Sequence, residues 1–366
     1  MTTTRALPGW RTHELPSGIL AIQAPDDAHA LFTLGLRQNP RRGFLFVSRV
    51  LGKHLPARPR DMKRSYDILA GRVEPGATVW IGMAETATAL GRGVFEAYAA
   101  RIGTPCLFVT TTRYRQPGEA LTFEEPHSHA TTQWLHVPLD EHKRARFLGA
   151  RHVVIVDDEI STGVTAVNLV RCLAGRLPAL ERVTVVSLQD FAPQDAYAAA
   201  PVPVPVERQA LLRGQVRFKP NPAWQPQLPQ VTGHGGHHAP ASGERLGVWP
   251  QEGLEEPLLA VQPGERVLVL GTGEFMSAAY ALAHSLEQAG ADAWVKATTR
   301  SPIVPYGELL ERAEFEDNYG EGVTNYLYRS EGERYDAVFV LTEQPGVPRG
   351  LLSTLRRWYG GRITCV

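Results

Sequence analysis

Residues 153–166, reading VVIVDDEISTGVTA, constrain the fold of this chain more than any other stretch. Val153, Val154, Ile155 and Val156 are β-branched and lack polar alternation, which specifies a strand covered on both faces. Two carboxylates follow, Asp157 and Asp158, then a Ser161-Thr162-Gly163 turn. Beyond the turn, Val164, Val167, Val170 and Leu173 recur on one face of a helix. Strand, acid pair, glycine turn and amphipathic helix make a βα unit. Such a unit needs parallel neighbours, so an α/β fold with a mainly parallel sheet is expected.

The rest of the chain repeats this alternation. Strands are expected at 43–48, 78–82, 106–111, 133–137, 152–157 and 183–188, with helices at 60–72, 86–101 and 163–176. Residues 209–218 read as a further strand or hairpin, and the Pro-rich tract ending in GHGGHH reads as a linker. A second α/β pattern starts near Leu246, with strands at 266–270, 292–296, 326–328, 337–341 and 363–366. At 366 residues the chain is long for one core. The expected division is an extension over 1–20, a first domain over 21–224, a Pro/Gly/His linker over 225–243 and a smaller Rossmann-like domain over 244–366.

The chemistry of the opening stretch is that of a sugar phosphate. A helix N-terminus presents free N–H groups and a favourable dipole to a phosphate. Ser161, Thr162 and Thr165 add hydroxyl donors, and Gly163 and Val164 offer backbone at close range. Asp157 and Asp158 would repel a phosphate. They suit two sugar hydroxyls and a hydrated divalent cation. Phosphate at one end and diol at the other describe ribose 5-phosphate; the plain alternative is a capped helix beside a solvated acid pair. One βα unit upstream, Gly82, Met83, Ala84, Glu85 and Thr86 form a second strand–helix junction fit for an anion, or an ordinary turn with a threonine cap. Residues 113–130 form a long segment without clear pattern, a candidate lid. It carries Arg113 and Arg115 for diphosphate, and Glu124, Glu125, His127 and His129 for proton handling or metal binding.

The 153–166 stretch resembles the 5-phosphoribosyl-1-diphosphate (PRPP) motif of type I phosphoribosyltransferases, with Glu159 in place of the usual apolar residue. The resemblance implies that Asp157 and Asp158 meet the ribose hydroxyls and that 161–165 wrap the 5-phosphate. It also implies a diphosphate loop at 82–86, Mg2+ as cofactor, a closing lid at 113–130 and a homodimer. The segment FLFVSRVLGKHLPARP resembles the base-recognising hood of orotate-type enzymes, which makes Lys53, His54 and Arg58 candidates for base or diphosphate contacts.

The C-terminal half opens with Gly271-Thr272-Gly273-Glu274 after a strand, without the third glycine of a dinucleotide loop. Thr299-Arg300-Ser301-Pro302 follows the next strand at the same sheet edge, so Gly273, Glu274, Thr299, Arg300 and Ser301 are candidates for an anionic ligand. With Asp317-Asn318-Tyr319-Gly320 and Asn325-Tyr326-Leu327-Tyr328, these features resemble the TRSP domain. That domain follows orotate-like transferase domains in bacterial proteins associated with tellurium-resistance and stress gene clusters. The resemblance implies PRPP and a base-like acceptor as ligands, a specialised nucleoside-like product, and other enzymes of that pathway as partners. Orotate or purine/pyrimidine salvage is the nearest alternative, and a non-catalytic PRPP-binding regulator or scaffold is the alternative of another class.

Composition narrows the remainder. Lys+Arg and Asp+Glu both number 38, so no basic excess points to nucleic acid. Cys106, Cys172 and Cys365 are odd in number and widely spaced, which suits a reducing compartment better than a disulfide framework. No signal-like start and no apolar run of ~20 residues is present, so a cytoplasmic location away from membranes is expected.

Overall fold

The computed structural model describes residues 9–37, 39, 42–125, 132–196, 202–225, 243–254 and 259–366. The N-terminal half contains β1 (Arg11–Leu15), β2 (Gly18–Gln23), β3 (Phe32–Arg37), β4 (Phe44–Ser48), α1 (Pro59–Gly71), β5 (Val79–Gly82), α2 (Thr88–Ile102) and β6 (Leu107–Thr112). It continues with β7 (Ala120–Glu124), β8 (Thr132–His136), α3 (Glu141–Leu148), β9 (His152–Ile160), α4 (Val164–Arg176), β10 (Arg182–Asp190), β11 (Val206–Arg213) and β12 (Gln215–Pro220). Seven strands form the central sheet in the order β11-β10-β9-β5-β6-β8-β7. The run from β11 to β6 is parallel, and β8 and β7 are antiparallel additions. Val153 to Val156 are wholly buried at its centre, as their uninterrupted apolar character requires. α1 and α2 pack on each other and on this sheet.

Two expectations need correction. Residues 11–20 do not stand outside the first domain: β1 and β2 pair as a hairpin, and β2 pairs with β12 in a three-stranded sheet. The hairpin is held by burial of Leu20 and Ile22 against Phe32, Phe44, Phe46 and Phe191. The segment 113–130 is also not uniformly irregular, because β7 pairs with β8 through Leu121↔Leu135 and Phe123↔Gln133. Residues 126–131, and with them His127 and His129, lie outside the described residues.

The C-terminal half contains α5 (Gly243–Leu246), β13 (Arg266–Gly271), α6 (Ser277–Gln288), β14 (Asp292–Ala297), β15 (Ile303–Val304), β16 (Leu309–Phe315), β17 (Asn325–Ser330), β18 (Ala337–Leu341), α7 (Arg349–Tyr359) and β19 (Arg362–Cys365). Its parallel sheet runs β14-β13-β18-β19, and β16 and β17 form an antiparallel ribbon. α7 buries Leu351, Leu355 and Trp358 against this sheet.

The two halves share one core. α6 packs on α1 and α2, and Tyr66 of α1 meets Tyr280 of α6 edge to face at 5.1 Å. α2 accordingly buries Leu90, Val94, Phe95 and Tyr98 together with residues between them. Gly93 permits the close approach: a Cβ there would lie 2.1 Å from the Tyr66 ring. Backbone pairing crosses the junction too. β15 adds to β3 through Ile303↔Arg37 and Val304↔Leu36, Ala57 bridges Val295, and Phe108 bridges Val248. Among the described residues no helix is long and apolar enough to cross a membrane.

Candidate active site

β9 carries the acid pair farther than its sequence alone indicates. β10 continues beside it, with Ser187↔Asp157, Gln189↔Glu159 and Asp190↔Ile160, so the strand ends at Ile160. On its other side β5 stops at Gly82↔Val156. Asp157 and Asp158 therefore stand where β9 outruns its neighbour, at the carboxyl edge where open α/β sheets receive ligands. Both are half-buried. Burial pushes the Asp157 carboxyl well above its ordinary value, and the charge of Asp158 adds to the effect. Burial, then the charge of Glu159, raises Asp158 as well. Among the described residues neither has an ion pair of its own. A cluster of hard carboxylate oxygens in this state fits a Mg2+ ion held through water and substrate, together with the hydroxyl donors of a sugar.

Glu159, the departure from the type I pattern, is accounted for by an ion pair with Arg42, whose guanidinium also lies 5.0 Å from the Phe44 ring centroid. After Ile160 the chain turns through Gly163 at φ +81°, a conformation that favours glycine, and α4 begins without a side-chain cap. Thr162 and Val164 are exposed, and Ser161 and Thr165 half-buried, so the first turn of α4 opens to solvent. The Thr162 hydroxyl reaches back, accepting from the Val164 amide at 3.4 Å.

The 82–86 loop is fixed from below. The Met83 amide donates to the Val156 carbonyl at 2.9 Å, and the Ala84 amide to the Thr111 hydroxyl at 2.8 Å. The Gln133 side-chain amide donates to the Ala84 carbonyl at 2.9 Å. The Ala84–Glu85 peptide is cis, and Thr86 is half-buried. Glu85 turns inward and accepts from Lys53 Nζ at 2.5 Å and from the Arg300 amide at 3.3 Å. Burial raises its carboxyl, but the charges of Lys53, Arg300 and Arg113 outweigh burial and hold it at about 2.

Around this frame the sequence-derived candidates separate. The Arg113 guanidinium donates to Glu125 at 3.3 Å, and Gln133 donates to the same carboxylate at 2.7 Å. Glu125 also adds to the upward shift of Asp157, so it belongs to the same electrostatic cluster. Arg115 is exposed and lies over the Trp134 ring at 5.7 Å, and Glu124 accepts from the Thr132 hydroxyl at 3.1 Å. His54 is buried with its Nε2 unpartnered among the described residues, and burial, helped by the charges of Lys53 and Arg37, pushes it down to about 3. It is a neutral imidazole against Tyr328, not a titrating base. Arg58 is not at the site. It pairs with Asp292 at 2.6 Å and covers Trp294, locking the start of α1 to β14.

The C-terminal candidates meet the transferase loops. Gly273, at φ +57°, donates its amide to Thr298 Oγ1 at 3.0 Å, and Ser301 donates its amide to Thr299 Oγ1 at 3.0 Å. Arg300 is committed to Glu321 at 2.6 Å and to the Tyr114 hydroxyl. Glu274 accepts from the Thr112 hydroxyl at 2.7 Å and the Arg113 amide at 3.0 Å, and is paired with Arg245, which reaches Glu343 at 2.9 Å. Arg42, Thr111, Gln133 and Arg245 have no local signal in the sequence, because each acts through a partner distant along the chain. Among the described residues no group of three or more His, Cys, Asp or Glu side chains is arranged to hold a metal by itself.

Comparisons with known proteins give the family of the chain. A family model described as phosphoribosyl transferase (PRTase_2) matches residues 31–215, and one described as the TRSP domain C-terminal to it matches residues 250–356. No curated protein matches the chain. Among solved structures, adenine phosphoribosyltransferase from Rhodothermus marinus is 19% identical, with a TM-score of 0.33 over 50% of this chain and 95% of that one. The Trypanosoma brucei adenine enzyme, solved with AMP, pyrophosphate and ribose-5-phosphate, is 14% identical at 0.33 over 49% and 77%. The Trypanosoma cruzi hypoxanthine enzyme, a point mutant solved with its product IMP, is 14% identical at 0.27 over 44% and 78%. The chain belongs to the phosphoribosyl transferase family, an enzyme of the pentosyltransferase class with a TRSP domain following its transferase domain.

Proposed function

We propose that this enzyme moves ribose 5-phosphate from PRPP to a nitrogen of a small base-like acceptor and releases diphosphate. The observation that carries the reading is the pair Asp157 and Asp158, half-buried and without an ion pair of their own among the described residues, beside the first turn of α4, which opens to solvent. Two sugar hydroxyls donating to the pair relieve the cost of keeping it charged. The turn over 161–165 takes the 5-phosphate on backbone amides and hydroxyls, and the loop over 82–86 takes the diphosphate with Arg113 beside it.

With C1 so placed, its bond to the diphosphate oxygen breaks with oxocarbenium character, and an acceptor nitrogen attacks from the opposite face with inversion. Electrons of the broken bond leave with the diphosphate, and the proton displaced from the acceptor nitrogen passes to a carboxylate, for which Glu125 is the candidate. Rate enhancement rests on positioning and on charges already in place. Asp157 and Asp158 would hold Mg2+, mostly through water and substrate, and the ion supplies charge neutralisation for the diphosphate. A cytoplasmic homodimer serving a specialised nucleoside-like product, in the tellurium and stress setting that the TRSP resemblance implies, fits better than orotate or purine/pyrimidine salvage, because salvage needs no second module.

Calorimetry with PRPP and Mg2+ tests the reading. The wild-type chain should bind and the Asp157→Asn/Asp158→Asn variant should not; equal affinity would sink the assignment. Diphosphate release with a panel of bases separates the enzyme from a PRPP-binding regulator, which would bind without turnover.

A further inference from the structure

The edge of an open parallel sheet ordinarily receives a ligand where adjacent strands end. In the C-terminal module several polar groups of that edge are engaged by the chain itself. The Thr272 hydroxyl donates to the Leu341 carbonyl at 3.4 Å and accepts from Asn318 at 3.2 Å. The Gly273 amide and the Arg300 guanidinium are likewise engaged. What projects from the edge crosses into the transferase half. Glu274 accepts from the Arg113 amide and the Thr112 hydroxyl, Arg300 donates to the Tyr114 hydroxyl, and the Gly273 carbonyl accepts from Lys53 Nζ at 3.5 Å. All four contacts fall on the segment that presents Arg113 or on the residue that holds Glu85 of the 82–86 loop.

The clamp is also stiff. Glu274 and Arg245 are both nearly fully enclosed, and Arg245 is held in turn by Glu343, to which Tyr319 donates at 2.6 Å. A buried charged network is costly to assemble and tolerates little displacement once every member is satisfied. A carboxylate so fixed makes a rigid anchor for one backbone amide.

We propose that Glu274 and Arg300 of the TRSP domain are positioning residues of the transferase reaction, holding the 112–114 segment so that Arg113 faces the departing diphosphate. The proposal rests on PRPP being the substrate. On this view the Thr-Arg-Ser-Pro motif is not a second catalytic centre but a wall of the first one, and the loop geometry it fixes acts on the diphosphate end alone.

The test uses the full-length chain with three probes, PRPP, ribose 5-phosphate and inorganic diphosphate, each with Mg2+ in a calorimeter. Glu274→Gln should weaken PRPP and diphosphate by about tenfold, the effect of a hydrogen bond to a charged group, and leave ribose 5-phosphate essentially unchanged. The neutral exchange Arg300→Gln/Glu321→Gln should do the same, and Arg300→Lys should recover most of the affinity; circular dichroism shows which variants are folded, and these two carry the test if Glu274→Gln is not. Unchanged PRPP and diphosphate affinities in folded variants overturn the proposal while the substrate reading stands. Equal weakening of all three probes shows a merely structural role and overturns it too. A wild-type chain that binds neither PRPP nor ribose 5-phosphate overturns both.

Discussion

Replacing Glu85 by glutamine removes one charge from an enclosed ion pair beside the transferase loops. The Lys53 and Glu85 side chains are 3% and 8% exposed, with Nζ and Oε1 2.5 Å apart. The Glu85 carboxyl sits at about 2 against an ordinary 4.5. At about 1.4 kcal/mol per pH unit, that difference makes the ionised group worth about 3 kcal/mol to the fold. Stranding one member of a buried pair costs a similar ~3–5 kcal/mol, so two routes give the same size. The sign follows from a folded pKa lying below the unfolded one: the contribution is complete above about pH 4.5 and declines as pH falls toward 2. Urea unfolding followed by the fluorescence of the seven tryptophans reads it directly. Wild type should exceed Glu85→Gln by about 3 kcal/mol at neutral pH and by less than half of that near pH 3. Lys53→Met combined with Glu85→Gln should recover at least half of the loss, because no unmatched charge remains between the two positions. A difference below about 1 kcal/mol at neutral pH, or one that stays constant down to pH 3, would refute the reasoning.

Three further outcomes are expected. Asp157→Asn should raise thermal stability at neutral pH even as it removes PRPP binding: its folded pKa lies above the unfolded one, so the penalty of ionising it grows as pH rises past 3.8 and is absent below. Parallel melts at about pH 4 and pH 7 check this, the stabilisation appearing only at the higher pH. Gly93→Ala should cost about 1–3 kcal/mol, since the added methyl meets the Tyr66 ring at 2.1 Å in a filled helix–helix contact, and a thermal melt that equals wild type would contradict the packing. Lys296→Met should cost ~3–5 kcal/mol by leaving Glu333 unmatched in the core of the C-terminal module, and Lys296→Met/Glu333→Gln should be markedly less damaged in the same denaturation assay.

The strand–turn–helix over 153–176 is legible in the sequence because everything it needs is contiguous: the apolar run, the glycine with positive φ and the helical stripe. Where a feature depends on a distant partner, legibility fails. β9 reaches Ile160 only because Gln189 and Asp190 continue the ladder, and Glu159 is tolerated only because Arg42 meets it. Lys53, His54 and Arg58 look like one basic cluster in sequence, yet Lys53 turns to Glu85, His54 is neutral against Tyr328, and Arg58 joins Asp292. The hairpin of β1 and β2 is hidden for the same reason, as its partner β12 lies near residue 218. One sign of the shared core is visible in retrospect: α2 has Leu90, Val94, Phe95 and Tyr98 with glycines between them, too apolar for a helix with only one covered face.

The addition of Ile303 and Val304 to the edge of β3 has a consequence for how the protein is made. A ribosome delivers Arg37 long before Ile303; at roughly 5–20 residues per second the interval is tens of seconds. Until then the nascent transferase half shows an unpaired strand edge and the uncovered apolar faces of α1 and α2, the surfaces that draw chaperones and aggregate when left waiting. A chain cut short before Ile303 therefore lacks the strand that covers the edge of β3.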